Sequence, residues 1–291
     1  MKAVLSPARF RSSSTGGLLG SAQMAGGAVS NSGRAPRGVD PYKPNSARAY
    51  NYMLGGKDNY EADQEYARRV LAVAPDSRIL AQASRGFLIK GVRTAAEAGV
   101  RQFIDLGAGI PISPNVYEIA QGRDPSAQIV CVDNDPVVYM HCTASLSGLP
   151  GVTPILADVR DPGELIERLR DDELIDFDKP VAVLMVGVLH FVMDAADPAG
   201  IIARFRDEMV PGSYFVVTHV SDESDPIFVE QARAAIEDSP IQVTYRSRNE
   251  LTSYLDGFEI LDPGVVRIQE WLDDPDFTSR AVIIGCVCRR P

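Results

Sequence analysis

The sequence predicts an α/β chain: a seven-stranded, mostly parallel sheet with helices on both faces, an antiparallel hairpin at its C-terminal edge, and added helices at the N-terminus. Three observations carry this. Between residues 101 and 237, short apolar runs alternate with helical patterns, the order that builds a parallel sheet from crossover units. The first run, Phe103-Ile104-Asp105-Leu106, flows directly into Gly107-Ala108-Gly109, a strand entering a glycine turn. The last two apolar runs, 258–261 and 279–289, have no helical pattern between them, so they pair antiparallel at the edge instead of extending the crossovers.

The elements follow in order. Asn45 or Ser46 caps a short helix that ends at Gly55-Gly56. A second helix starts near Asp58, with Tyr60, Tyr66, Val70 and Leu71 among its apolar positions. A third runs from Asp76 or Ser77 to Gly99, with Leu80, Ala83, Phe87, Leu88 and Val92 on a helical period. Strands are expected near 102–106, 128–133, 153–157, 180–188 and 213–219, and helices near 113–121, 135–147, 162–171, 197–209 and 224–237. Residues 249–255 are helical before the closing hairpin. The organisation is a disordered basic tail over 1–44, a helical extension or lid over 45–100, and the α/β core over 101–291.

Composition narrows the function. The 291 residues are 45% hydrophobic, enough for a full core. The net charge of −10 is unevenly placed: residues 1–44 carry six basic residues against Asp40 alone, which leaves −15 on the remainder. An acidic body argues against binding nucleic acid backbones and fits a small-molecule enzyme. Cys131, Cys142, Cys286 and Cys288 have neither Cys-x-x-Cys spacing nor a histidine partner, so they read as buried reduced thiols of a cytoplasmic protein, with no metal site. No apolar run is long enough to span a membrane. Oligomeric state is not legible.

The chemistry lies in two strand ends. Gly107 and Gly109 let the backbone turn sharply and admit a ligand where a Cβ would intrude. The run Val130-Cys131-Val132 ends in Asp133-Asn134-Asp135, with Asp133 lying 28 positions after Asp105. A carboxylate at the tip of that strand can accept both hydroxyls of a ribose, so the pair describes a site for an adenosine-containing cofactor. A dinucleotide site wants G-x-G-x-x-G. Here the third glycine is replaced by Ile112, and Pro111 and Pro114 delay the helix that should meet a pyrophosphate. Asp105 suits a cation, and S-adenosylmethionine carries a sulfonium, an ammonium and no phosphate.

Further along the chain, these motifs and their neighbours resemble one family. They are Pro44-Asn45-Ser46-Ala47-Arg48-Ala49-Tyr50-Asn51-Tyr52-Met53-Leu54-Gly55-Gly56-Lys57-Asp58-Asn59-Tyr60, Arg101 to Pro111 around the glycine turn, Val132-Asp133-Asn134-Asp135-Pro136, Val188-Leu189-His190-Phe191, and Pro211-Gly212-Ser213-Tyr214. Over residues 44–289 the chain resembles the actinobacterial S-adenosyl methyltransferase family, long catalogued as a domain of unknown function, within the class I S-adenosylmethionine-dependent enzymes. It departs from the family at Trp271-Leu272-Asp273-Asp274, where a basic residue and a proline are usual. The resemblance implies a Rossmann-like sheet, S-adenosylmethionine as cofactor and S-adenosylhomocysteine as product.

It also implies roles. Asp133, with Asn134 beside it, binds the ribose diol. Gly107 and Gly109 lie against the methionine moiety, and Asp105 sits near its ammonium. Asp158 accepts from the adenine amino group, while the Val159 N–H donates to the ring. In the 50–59 segment, Gly55 and Gly56 form an elbow of a lid, Lys57 or Asn59 reaches the cofactor carboxylate, and Tyr50 or Tyr52 lines the pocket; a helix C-cap followed by an N-cap explains the same residues without a ligand. Val188 and His190 leave the fourth strand beside the cofactor, and His219 occupies the equivalent place on the next. Either histidine can serve as a general base, or both are structural. The implied reaction is in-line methyl transfer to an unidentified small-molecule acceptor. A non-catalytic sensor that binds S-adenosylmethionine or S-adenosylhomocysteine, or a partner-binding module, is the alternative, and a nicotinamide-dependent oxidoreductase a more distant one.

Overall fold

A computed structural model of the chain describes Ala35, residues 39–274 and residues 279–291. The disordered tail expected over 1–44 lies outside these residues except for Ala35 and 39–44. Three helices open the described chain: α1 (Ser46–Met53), α2 (Glu61–Val73) and α3 (Ser77–Glu97). Asn45 caps α1, its side chain accepting from the N–H groups of Ala47 and Arg48 at 2.7 and 3.3 Å.

The alternation then runs β1 (Gln102–Leu106), α4 (Val116–Arg123), β2 (Gln128–Asp133), α5 (Pro136–Leu146), β3 (Val152–Leu156), α6 (Pro162–Asp171), β4 (Val181–Met185), α7 (Pro198–Glu208) and β5 (Tyr214–Val220). After it come α8 (Pro226–Ala235), α9 (Arg248–Tyr254), β6 (Glu259–Ile260), β7 (Val266–Arg267), α10 (Ile268–Trp271) and β8 (Ile283–Arg289). The sheet order is β3-β2-β1-β4-β5-β8-β6, with β7 also paired to β8. Strands β1 to β5 are parallel, and β8 runs antiparallel to β5, β6 and β7.

Three expectations need correction. The described sheet has eight strands, not seven, because Val266 and Arg267 pair with Gly285 and Ile284. The closing antiparallel strands are not a simple hairpin: β8 lies between β5 and β6, and β7 and α10 stand between β6 and β8 in the chain. Helix α4 begins at Val116 rather than near 113, because Asn115 and Glu118 close a capping box there, and the Asn115 side chain takes the Ile112 N–H at 3.0 Å. The short α10 was not expected at all. It is anchored by Trp271, whose indole N–H donates to the carbonyls of Gly264 and Gly285 at 3.0 and 3.1 Å.

Side chains of β1 alternate between two cores. Ile104 and Leu106 join Leu165, Leu169, Ile202 and Phe205 on the α6–α7 face. Phe103 joins Phe87, Val92, Val116 and Val138 on the face covered by α3, α4 and α5, and the alternation sends Asp105 to that same face. A smaller cluster of Ala49, Tyr66, Ala67, Ile236 and Ile241, with Phe191 against it, ties α1 and α2 to the chain after α8. Strand order reverses between β1 and β4, the switch point outside whose carboxyl ends an open sheet of this kind takes its ligands.

Candidate functional site

The turn after β1 is held onto β2 by its own backbone. Gly107 N–H and Ala108 N–H both donate to the Val132 carbonyl, at 2.8 and 3.0 Å. Gly107 and Gly109 have φ of +71° and +66°, which glycine adopts without penalty. A Cβ on Gly107 would lie 2.3 Å from Val188 Cγ2, whereas one on Gly109 would meet nothing within 4 Å. Thus Val188 closes the β4 side of the turn, and Gly109 leaves its side open.

Asp133 at the end of β2 is buried, yet each of its oxygens is met by a backbone donor. Oδ2 accepts from Gly109 N–H at 3.0 Å and Oδ1 from Asp135 N–H at 2.9 Å. Burial pushes its carboxyl up to about 6, against the opposing pull of these amides. Asp105 is buried as well and is pushed up to about 7 by desolvation, partly offset by the Arg85 guanidinium and reinforced by Asp133. Arg85, from α3, donates through Nη2 to the carbonyls of Ile112 and Pro114 at 2.5 and 2.6 Å. Arg85, Asp105, Ala108, Gly109 and Cys131 line a cavity of ≈ 20 Å³ beside the turn, room for about one water.

At the end of β3, Asp158 accepts from Asn134 Nδ2 at 3.2 Å, which joins the β2 and β3 tips. Arg160 grips the same carboxylate through Nε at 2.9 Å and Nη2 at 2.5 Å, and holds it down at about 2. Val159 sits between them, half-buried. So Asp105, Gly107, Gly109, Asp133, Asn134, Asp158, Val159 and Val188 converge on adjacent strand ends.

The N-terminal elbow behaves differently. Asn51 Oδ1 accepts from Asp58 N–H at 3.1 Å and Asn59 Nδ2 at 2.8 Å, and Asn59 also donates to the Gly56 carbonyl and accepts from Gln64. Gly55 has φ +85°, and a Cβ on Gly56 would sit 2.3 Å from Asn51 Nδ2. The Tyr50 hydroxyl donates to the Ala81 carbonyl at 2.8 Å, and burial pushes it up to about 12. Lys57 is exposed. Asn59's hydrogen bonds close on the elbow itself, and Arg85 is a cation on the cavity wall.

Burial holds both histidines neutral, and His219 has both ring nitrogens engaged. His219 is fully buried; its Nδ1–H donates to the Val220 carbonyl at 2.7 Å, and Nε2 accepts from Arg246 Nη1 at 2.8 Å. The tautomer follows because a guanidinium only donates. Burial and the Arg246 charge push His219 down to about 4 despite the Val220 contact. Arg246 further donates to the Val192 carbonyl at 2.8 Å and to Asp194 Oδ1 at 2.5 Å. His190 lies in a 3₁₀ turn, Leu189–Phe191, its ring 4.2 Å from that of Phe191. Burial, then His219 and Arg246, push it down to about 3.

Sequence reasoning missed Arg48, Arg85, Arg160 and Arg246. Only Arg160 left a signal, its place two residues after Asp158; the other three act on partners distant in sequence. Among the described residues no cluster of histidines, cysteines and carboxylates is arranged for a metal ion, and no helix is long and apolar enough to cross a membrane.

Comparison with known proteins places the chain. A family profile described as S-adenosyl methyltransferase matches residues 32–290. A DUF574 family protein from Streptomyces avermitilis is 32% identical, with a TM-score of 0.82 over 87% of this chain and 99% of that one. A protein from Thermobifida fusca, provisionally described as a methyltransferase, is 35% identical, with a TM-score of 0.81 over 88% of this chain and 98% of that one. No curated protein matches the chain.

Proposed function

The chain belongs to the S-adenosyl methyltransferase family, and from that premise we propose that the ends of β1, β2 and β3 bind S-adenosylmethionine for methyl transfer to a small-molecule acceptor. The carrying observation is the charge pattern at one glycine turn. Two buried carboxyls, Asp105 and Asp133, flank it, and the Arg85 guanidinium lies on the same cavity as Asp105. An amino acid joined to an adenosine fits that pattern: ammonium to Asp105, carboxylate to Arg85, ribose diol to Asp133. A pyrophosphate would set its charges against both carboxyls.

Asp158 and the Val159 N–H are the groups for the adenine edge, with Arg160 and Asn134 holding the Asp158 carboxylate in place. Gly109, open where a Cβ would stand, gives the methionine moiety room beside the backbone. When bound, S-adenosylmethionine supplies an electrophilic methyl on a positively charged sulfur. The protein's part is then alignment and exclusion of water. His219 has both ring nitrogens engaged, so His190, with Nδ1 buried and unpartnered, is the candidate to hold the acceptor, as a neutral group. The acidic body and the α1–α2 helices support a small acceptor held under a helical cover.

Titration calorimetry with S-adenosylhomocysteine, with NADH as control, tests this. Micromolar binding of the former alone is expected, and Asp133→Ala should weaken it by at least tenfold, about 1.4 kcal/mol, with the far-UV spectrum unchanged. Unaltered affinity would sink the ribose assignment. The low-lying histidines also favour a second reading, a non-catalytic sensor of the same ligand. Turnover of methyl-labelled cofactor against host extract separates the two.

A further inference from the structure

Resting on that reading of Asp133, we infer that Arg48 is a positioning residue: acting through Asp135, it fixes the Asp133 carboxylate for the ribose and makes the α1–α2 segment part of the cofactor site. Arg48, Asp63 and Asp135 are 4%, 0% and 3% exposed. Arg48 Nε donates to Asp63 Oδ2 at 2.9 Å, Nη1 to Asp135 Oδ2 at 3.1 Å and Nη2 to the Lys43 carbonyl at 2.8 Å. Asp63 also accepts the N–H groups of Asn45 and Tyr60, at 2.8 and 2.7 Å, so the start of α1 and the start of α2 meet on one carboxylate. The Tyr60 ring covers the guanidinium, 5.1 Å from its carbon.

The connection continues into the site. Asp135 Oδ1 caps α5 through Val137 N–H at 2.7 Å, and Asp135 N–H donates to Asp133 Oδ1 at 2.9 Å. The other Asp133 oxygen takes Gly109 N–H. An unbroken chain of hydrogen bonds thus runs from Asp63 through Arg48, Asp135 and Asp133 to the glycine turn.

Capping alone does not require this. An N-cap uses one side-chain oxygen, and asparagine or serine serves as well without a charge to bury. Here the second oxygen of Asp135 is bound by a guanidinium from 87 residues away. Burying that ion pair carries a desolvation cost, and its effect is to immobilise the backbone amide that orients Asp133. Without Arg48 the buried Asp135 loses its counter-charge, the 133–135 backbone is released, and Asp133 loses the Asp135 amide that holds its Oδ1. The coupling is reciprocal: a ligand that fastens Asp133 also fastens α1 and α2.

The test uses the full chain and S-adenosylhomocysteine at fixed pH. Arg48→Gln and Asp135→Asn are each expected to raise Kd about tenfold, and the double variant no further than the weaker-binding single variant, because both cut one relay. Arg48→Lys should recover part of the loss. Ligand binding should slow amide exchange across residues 46–73 in the wild type and not in Arg48→Gln. Asp135→Asn keeps the α5 cap, so it stands as the folded test if Arg48→Gln does not fold. Affinities within twofold of wild type, or losses that multiply in the double variant, overturn the relay. A wild-type chain that does not bind S-adenosylhomocysteine overturns the cofactor reading instead.

Discussion

Lowering the pH should weaken cofactor binding and make it release protons, by amounts the two buried carboxyls set. Asp105 lies at about 7 and Asp133 at about 6 in the free protein, both raised chiefly by burial. An ammonium beside Asp105 and a diol on Asp133 each favour the ionised form, so protonation competes with the ligand. At pH 8 both are ionised; at pH 6 Asp105 is about nine-tenths protonated and Asp133 about half. Linkage then removes about tenfold in affinity at Asp105 and about twofold at Asp133, about twentyfold in all between pH 8 and pH 6, with about 1.4 protons released per ligand at pH 6. Calorimetry with S-adenosylhomocysteine in two buffers of different ionisation enthalpy reads both quantities. In Asp105→Asn the loss should shrink to about twofold and the release to about half a proton. Wild-type affinity constant within twofold over this range, with no proton release, would refute both the burial argument and the placement of a cation at Asp105. The same raised values act on stability with a fixed sign. In the folded state these two carboxyls hold protons that the unfolded chain gives up near 3.8, so their contribution to stability falls as pH rises from about 4 to 7. His190 and His219, held neutral by burial, contribute with the opposite sign up to about 6.5. Asp105→Asn should remove the Asp105 part and make thermal stability rise more with pH than in the wild type.

Three further outcomes are expected. Gly107→Ala forces a side chain at φ +71° into Val188; strain of about 1–2 kcal/mol plus overlap of about 1–3 kcal/mol should lower the Tm, and adding Val188→Ala should recover the overlap alone. Full recovery would show that the turn's backbone is not strained by a Cβ. Arg85→Met should weaken S-adenosylhomocysteine about tenfold or more through a lost charged contact, yet leave 5′-methylthioadenosine, which lacks the amino-acid end, unchanged; equal losses would remove Arg85 from the carboxylate role. Arg246→Met strips donors from His219, Val192 and Asp194, and should cost about 3 kcal/mol in chemical denaturation. A cost near zero would mean that Arg246 contributes little to holding the turn after β4.

Much of the site was legible because its signals are local. The strand, the glycine turn and the carboxylate at the next strand tip are short-range patterns, and a parallel sheet places successive strand ends side by side. Asp133, Asn134 and Asp158 meet for that reason. The elbow at 50–59 was legible only as two alternatives. In the fold, Asn51 draws Asp58, Asn59 and Gly56 into hydrogen bonds within the elbow. Strand β7 and helix α10, of two and four residues, are too short to show a period; they exist because β8 and Trp271 give them partners.

What the sequence by itself determined is the alternating core, the antiparallel close, the glycine turn and the acidic residues around it. Each of these follows from backbone freedom and apolar periodicity over a few neighbouring residues. What only the tertiary structure decided is which cations answer those acids and which histidines are free to act. In the sequence Arg85 and Arg48 look like ordinary charges on helices, and His219 like a candidate base. Folding brings Arg85 to Asp105, Arg48 to Asp135 and Arg246 to His219 across 20, 87 and 27 positions of chain. A charge acquires its role from the groups buried against it, and burial is a property of the packed fold.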